Sequence, residues 1–236
     1  MAGDAPDFSV GIVDLSPIVV NTIPIVKNYP GGNVFFFDNF EGPNVTWEVI
    51  KGEGADYSFA EIDKTHAYLG TGCARLYYNE NLRTNIKLGR RFQFRSSDTI
   101  GIEFSFMISD KANDNVEIIY EYKINNTHYT FYIIFKADLF TIRTSTGVIY
   151  YPYHPGNGLN NMVWNNVKLI INTKTHRYVK LYYGKEVFNI DHPPQTDLGT
   201  GNEYSSLNLG FFSWYRSDPQ KSLWIDKVIL TDDETI

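Results

Sequence analysis

Apolar and polar residues alternate along much of the chain. In the segment 99–109, Ile102 and Phe104 fall on one face, and Glu103 and Ser105 fall on the other. A period of two residues is typical of a strand that buries one face. About fifteen such short segments are separated by Gly, Asn and Asp, and we find no convincing amphipathic helix longer than two turns. The pattern predicts an all-β protein, either a sandwich or a barrel.

The clearest local prediction is a hairpin. Segments 115–124 and 128–136 both alternate, and Asn125-Asn126 between them supplies turn residues. Further strands are predicted at 35–37, 45–50, 57–62, 74–78, 139–144, 148–153, 163–172, 178–183, 185–190, 207–215 and 223–231.

The first thirty residues differ from the rest, because prolines interrupt a run of apolar residues. Proline lacks a backbone N–H and is excluded from central strands, so the run predicts an extended, edge-type arm. Left bare, such a segment would be adhesive, and it must be covered by its own sandwich or by another subunit. We therefore divide the chain into an arm, 1–30, and a sandwich, 31–236. The apolar residues assigned to the arm are Phe8, Val10, Ile12, Leu15, Ile18, Val20, Ile23 and Ile25.

The length and the net charge of the chain reduce the number of plausible function classes. The 236 residues suit one large sandwich, and the net charge of −6 does not favour nucleic acid as a partner. No stretch approaches the roughly 20 apolar residues of a membrane-spanning helix. The N-terminus lacks a signal-peptide pattern. Cys73 is the one cysteine, so no internal disulfide is expected, and its apolar neighbours predict a buried thiol.

Three segments resemble a known fold. Segment 99–106, TIGIEFSF, is similar to the long inner strand of laminin-G-like and concanavalin-like jelly rolls. The pair 164–171, WNNVKLII, and 178–185, YVKLYYGK, resembles their unit of two strands that ends in a short glycine turn. The resemblance implies a two-sheet antiparallel jelly-roll sandwich.

The two ends of this region resemble jelly-roll carbohydrate-binding modules. The segments that carry the resemblance are 37–41, FDNFE; 70–72, GTG; and 224–230, WIDKVIL. The likeness covers roughly residues 33–232, and it implies that the first and last strands pair, often beside a structural calcium ion. No cofactor is otherwise expected.

The calcium ligands implied by the resemblance are Asp38, Asn39, Glu41 and Asp226. Calcium takes six to eight oxygen ligands, and paired terminal strands would bring these side chains together. The alternative is that Asp38 and Asn39 cap a turn by bonding to their own backbone.

Catalysis is not expected. Concanavalin-like glycosidases need two carboxylates across a cleft. Glu117 and Glu121 fall on one strand face, but Ile119 stands between them and no third acid follows. Glu103 is alone on its strand. The chain is therefore predicted not to be an enzyme.

Aromatic side chains are the candidates for glycan contacts, because flat rings with polar rims suit sugar faces. Tyr150, Tyr151 and Tyr153 lie close together, and Trp214, Tyr215 and Arg216 follow a predicted strand. The alternative for each ring is packing in the core or against a neighbouring strand.

Two functions remain open. The first is a structural subunit of a larger particle, such as a virion surface, decoration or tail protein or an extracellular filament, with the arm making subunit contacts. The alternative is a carbohydrate-binding module. The corresponding partners are further subunits, including copies of itself, or a surface glycan, and the corresponding location is a virion or extracellular surface.

Overall fold

The structure is a computed structural model. The residues that it describes are 32–52, 58–78, 85–94, 96–110, 114–213 and 221–234. The predicted arm and the candidate residues Trp214, Tyr215 and Arg216 lie outside these ranges. None of the described segments forms a helix long and apolar enough to cross a membrane.

The described chain forms strands and no helix. In chain order the strands are β1 (Asn33–Asp38), β2 (Glu48–Lys51), β3 (Phe59–Asp63), β4 (Cys73–Tyr78), β5 (Asn85–Phe92), β6 (Thr99–Ile108), β7 (Asp114–Ile124), β8 (Thr127–Phe135), β9 (Leu139–Thr144), β10 (Gly147–Pro152), β11 (Asn165–Asn172), β12 (Arg177–Tyr183), β13 (Glu186–His192), β14 (Gln195–Leu198), β15 (Tyr204–Ser213) and β16 (Lys221–Asp232).

These strands form two eight-stranded sheets, in which every strand pair is antiparallel. Sheet A has the order β13-β12-β11-β6-β16-β4-β3, with β1 beside β16. Sheet B has the order β10-β9-β8-β7-β15-β5-β2, with β14 beside β8. The predicted all-β, two-sheet jelly-roll sandwich is confirmed.

The core lies between the inner faces of the two sheets. Ile102, Phe104 and Phe106 of β6 are fully buried there, as are Ile118 and Tyr122 of β7. In both strands every second residue faces the core, and these residues are the apolar ones of the alternating pattern. Each such side chain contributes roughly 1.5–3 kcal/mol by leaving water.

The hairpin between β7 and β8 confirms the predicted turn. Asn125 and Asn126 have φ angles of 49° and 60°. A two-residue loop with both φ angles positive matches the right-handed twist of the strands, and Asn tolerates that conformation better than most residues.

The pairing of β1 with β16 agrees with the layout implied by the resemblance. Asp38 lies opposite Val228, and a bulge in β16 separates Asp226 from Ile229. Lys227 within this bulge has a φ angle of 55°. Asp226, next to this bulge, lies against the backbone of Tyr68 and Leu69.

Two strands were not predicted from the sequence, β5 and β14. In β5, Ile86 and Leu88 point into the core, but Gly89, Arg90 and Arg91 interrupt the alternation. Cys73 is buried, as predicted, and burial raises the pKa of its thiol to about 12.

Candidate functional site

A row of polar side chains crosses the outer face of sheet B. Arg91 on β5 lies opposite Ser206 on β15, Ser206 lies opposite Glu121 on β7, and Glu121 lies opposite Thr130 on β8. Directly opposed residues in a sheet point to the same side. The row therefore places hydroxyl, carboxylate and guanidinium groups side by side on one surface.

Two glycines, which have no side chain, leave a shallow depression in this face. A Cβ atom added at Gly89 would lie 2.7 Å from Ile50 Cδ1 and 2.8 Å from Asn208 Oδ1. One added at Gly210 would lie 2.4 Å from Lys87 Cγ. The missing side chains let Ile50, Lys87 and Asn208 lie flat against the sheet.

A pocket of about 250 Å³ opens beside Gly89. Its side-chain lining is mainly polar and includes Glu48, Arg91, Glu121, Tyr204, Ser206 and Asn208. A concave surface with a few converging polar groups is the usual form of a small-ligand site. Hydrogen-bond donors and acceptors lie close together in this pocket, so it can hold a hydroxyl-rich ligand.

The Glu121 carboxylate accepts two long hydrogen bonds in this pocket. Thr130 Oγ1 donates to Glu121 Oε1 over 3.5 Å, and Ser206 Oγ donates to Oε2 over 3.4 Å. The guanidinium carbon of the exposed Arg91 lies 5.7 Å from the centre of the Tyr204 ring. Burial and the nearby Glu121 carboxylate raise the pKa of Tyr204, although Arg91 opposes the rise. Tyr204 is therefore a neutral phenol at physiological pH.

Glu117 lies on the same face but is not available to a ligand. Its side chain is only 2% exposed, and its Oε2 accepts a hydrogen bond of 2.5 Å from the Tyr132 hydroxyl. The ammonium of Lys87 lies 3.3 Å from the same oxygen. Ile119 separates Glu117 from Glu121, as the sequence indicated. The two carboxylates therefore do not form a pair facing a shared substrate.

The side chains of the three predicted tyrosines point in different directions. Tyr150 and Tyr151 belong to β10, and Tyr153 follows its last residue. Tyr150 is 62% exposed and lies opposite Thr141, on the outer face of sheet B. Tyr151 points inward and stacks on Phe140 with ring centres 4.8 Å apart. Tyr153 is buried and stacks on Tyr183. Only Tyr150 offers a free ring face, and the other two follow the core alternative.

The four predicted calcium ligands have different surroundings. Asp38 Oδ1 accepts from the Phe40 N–H and Oδ2 accepts from Trp47 Nε1, both over 2.8 Å, which supports the turn-capping alternative. Glu41 accepts from the backbone N–H groups of Thr71 and Gly72 over 2.7 and 3.3 Å. Asn39 is half-buried next to Asp38.

Asp226 has the strongest features of a cation ligand. Its Oδ2 accepts from the N–H groups of Tyr68 and Leu69, both over 2.9 Å, whereas its buried Oδ1 has no hydrogen-bond partner. Burial raises the pKa of Asp226 to about 6, and the negative charge of Glu41 adds to the rise. Among the described residues, no three His, Cys, Asp or Glu side chains converge as a metal site.

The pocket contains residues that sequence reasoning missed. Arg91, Tyr204 and Asn208 were not singled out, although each alternates with an inward-facing neighbour. Arg91 lies on β5, which was itself missed, and Tyr204 begins β15 ahead of the predicted segment 207–215. The alternating pattern predicts that a residue faces outward, but it does not predict which strands lie beside that residue.

Comparison with known proteins gives the fold a context. No family model and no curated protein matches the sequence. An endo-β-1,4-glucuronan lyase from the fungus Trichoderma reesei superimposes with a TM-score of 0.61 at 9% identity, over 85% of this chain and 96% of its own. The cellulose-induced protein Cip1 gives a TM-score of 0.54 at 11% identity, over 83% and 96% of the two chains.

A third match is a family 16 glycoside hydrolase of Bacteroides ovatus in complex with a product of mixed-linkage glucan. Its TM-score is 0.52 at 10% identity, over 83% of this chain and 99% of its own. The fold is a concanavalin-like jelly roll. At these identities the comparison shows the fold, and the matched proteins include enzymes.

These matches correct the main functional expectation. A virion, tail or filament subunit is wrong as the favoured interpretation, because the sandwich has the fold of carbohydrate-active proteins. The arm residues that motivated the assembly hypothesis lie outside the described residues.

Proposed function

We propose that this chain binds a polysaccharide on the outer face of sheet B and does not cleave it. The observation that carries the proposal is the pocket beside Gly89, where Arg91, Glu121 and Asn208 lie together on an open strand surface. Planar polar side chains of this kind donate to and accept from sugar hydroxyls. The shared fold with a glucuronan lyase and a glucan hydrolase supports a polymeric ligand.

Tyr150 extends the proposed surface. It lies on β10, five strand spacings from β5 in the order of sheet B, or roughly 24 Å at about 4.8 Å per spacing. An exposed aromatic ring at that distance suits stacking on a distant unit of the same polymer.

The proposed lack of cleavage rests on Glu117. A hydrolytic pair needs both carboxylates at the scissile bond. Glu117 is buried and bound by Lys87 and Tyr132, so it cannot pair with Glu121 at a bound sugar. Glu48 also lines the pocket, but its strand β2 lies three strand spacings from β7, or roughly 14 Å at about 4.8 Å per spacing, more than the roughly 5–9.5 Å of a hydrolytic pair.

The test is a panel of polysaccharides that includes glucuronan and mixed-linkage glucan, run as affinity electrophoresis. We expect at least one to retard the protein, and Glu121→Gln to weaken binding by roughly tenfold, the effect of a lost hydrogen bond to a charged group. Glu61→Gln is the control, because Glu61 lies on β3 of sheet A and pairs with Arg75.

If Glu121→Gln kept full affinity, the polysaccharide would have to bind at a different site. New reducing or unsaturated ends in the incubated polymer would show an enzyme instead of a binding protein.

We also infer that Asp226 and Glu41 hold a structural calcium ion. The support is the unpartnered, buried Oδ1 of Asp226 and its electrostatic interaction with Glu41. Calcium would supply positive charge between two carboxylates that otherwise repel each other. Asp38 and Glu41 each accept hydrogen bonds at both carboxylate oxygens. Glu41 is kept in this set because its charge acts on Asp226.

A further inference from the structure

Tyr204, at the side of the proposed pocket, is hydrogen-bonded to a histidine. His128 Nε2 contacts the Tyr204 hydroxyl, and the ring centres lie 5.5 Å apart with the planes at 69°. His128 is the second residue of β8 and is not among the residues that line the pocket. It can therefore act on a ligand in this pocket through Tyr204.

The direction of this hydrogen bond depends on the charge of His128. A neutral imidazole has one acceptor nitrogen, and a phenol is a better donor than an imidazole N–H, so Tyr204 donates and its oxygen remains free to accept. An imidazolium has two donors and no acceptor. When His128 is protonated, Nε2 must donate, and the Tyr204 hydroxyl proton turns toward the pocket.

Charged groups on several strands surround this pair. Lys123 on β7 and Asp197 on β14 lie directly opposite His128 on its two sides. Lys123 is only 2% exposed and donates from Nζ to the Gly201 carbonyl oxygen, whereas Asp197 is exposed. Arg91 on β5 lies over the Tyr204 ring.

We propose that His128 is a positioning residue that sets the direction of the Tyr204 hydroxyl and thereby makes glycan binding depend on pH. This inference rests on the proposed carbohydrate-binding function of the same pocket. Neutral His128 favours binding, because the Tyr204 oxygen then stays free to accept from a sugar hydroxyl, whereas an imidazolium donates to that oxygen and occupies it. Acidification therefore weakens binding.

The first experiment measures the dissociation constant of the full chain for the polysaccharide found in the panel, between about pH 8 and pH 5, where histidine side chains change charge. We expect affinity to fall roughly two- to tenfold, the size of one hydrogen bond. His128→Gln and Tyr204→Phe should each abolish most of this dependence. The control His192→Gln, on β13 of sheet A, should retain it.

The second experiment needs no glycan. Nitrogen NMR of the histidine rings should show neutral His128 with its proton on Nδ1 in the wild type, since Nε2 is the acceptor. In Tyr204→Phe the proton should move toward Nε2. Neutral wild-type His128 with its proton on Nε2 would overturn the inference, and so would a pH-independent affinity.

The two proposals fail differently. A protein that binds no polysaccharide at any pH would refute the proposed function, while the NMR experiment would still decide the direction of the hydrogen bond. Binding that is unchanged by pH would refute the role of His128 alone.

Discussion

At the scale of single residues, the fate of a carboxylate depends on the donors around it. Asp38, Glu41 and Asp226 were grouped from the sequence as calcium ligands. Asp38 is satisfied by an amide and an indole, Glu41 by a loop backbone, and Asp226 only in part. An unsatisfied buried carboxylate oxygen costs roughly 1–3 kcal/mol or more, and a cation would remove that cost.

Calcium is therefore expected to raise the melting temperature of the wild-type protein above its value in a chelator. Saturation at about 100 times the dissociation constant contributes about 2.7 kcal/mol, because the ion binds the folded state only. In a protein of this size the shift is roughly 5–10 °C. Scanning calorimetry with calcium and with chelator measures it.

The matched variant is Asp226→Asn. Its amide keeps an oxygen for the N–H groups of Tyr68 and Leu69 but removes the negative charge that calcium needs. We expect its melting temperature to be the same with calcium and with chelator. A wild-type protein that is equally insensitive would exclude the proposed ion.

How far single residues could be predicted is clear from Glu117 and Glu121. Their alternation placed both on one strand face, and the structure agrees. Burial of Glu117 depends on Lys87 and Tyr132, which reach it from separate strands. Those contacts depend on strand register, and the sequence pattern does not determine it.

At the scale of elements, the turn between β11 and β12 connects the two sheets through one side chain. His176 has a φ angle of 52°, stacks on Tyr129 with ring centres 3.9 Å apart, and places Nδ1 2.7 Å from the Tyr122 hydroxyl. Both tyrosines belong to sheet B. Burial lowers the pKa of His176, so protonation opposes folding.

Stability should consequently fall as the pH drops below about 6.5, the ordinary histidine value. In that range the unfolded state binds more protons than the folded state, so the free energy of unfolding decreases with falling pH. His176→Asn keeps a residue that tolerates positive φ but removes the titrating ring. Urea unfolding at about pH 7.5 and pH 5.5 tests this.

The variant should be less stable than the wild type at the higher pH, because its stacking on Tyr129 is lost. The difference between the two proteins should shrink at the lower pH. A constant difference would assign the pH dependence to other groups.

Strands were predicted unevenly for a physical reason. The β7–β8 hairpin was identified because alternation and a two-residue Asn turn agreed. β5 was missed because Gly89 and two arginines follow only two inward apolar residues. Gly89 also lines the proposed pocket. The residue that made β5 hard to predict is therefore part of the proposed binding surface.

At the scale of the whole molecule, the fold class was predictable and the strand order was not. Alternation indicates that two sheets enclose a core, but it does not say that β15 lies between β5 and β7. That order brings Arg91, Tyr204 and Glu121 together. The predicted extracellular location and the arm boundary stay predictions.

The division at residue 30 predicts that a variant lacking residues 1–30 still folds. The described strands enclose a common core, so we expect the same β-rich circular dichroism spectrum and a single cooperative thermal transition. Loss of cooperative unfolding in the shortened protein would show that the arm is an integral part of the sandwich.

The pairing of β1 with β16 has a consequence for how the protein can be joined to others. Asn33 and Asp232 are direct neighbours across these strands, so the sandwich is entered and left at one place, on sheet A. Chain that continues outward from Asn33 and from Asp232 therefore starts at neighbouring points, on the sheet opposite to the one on which we propose that a polysaccharide binds.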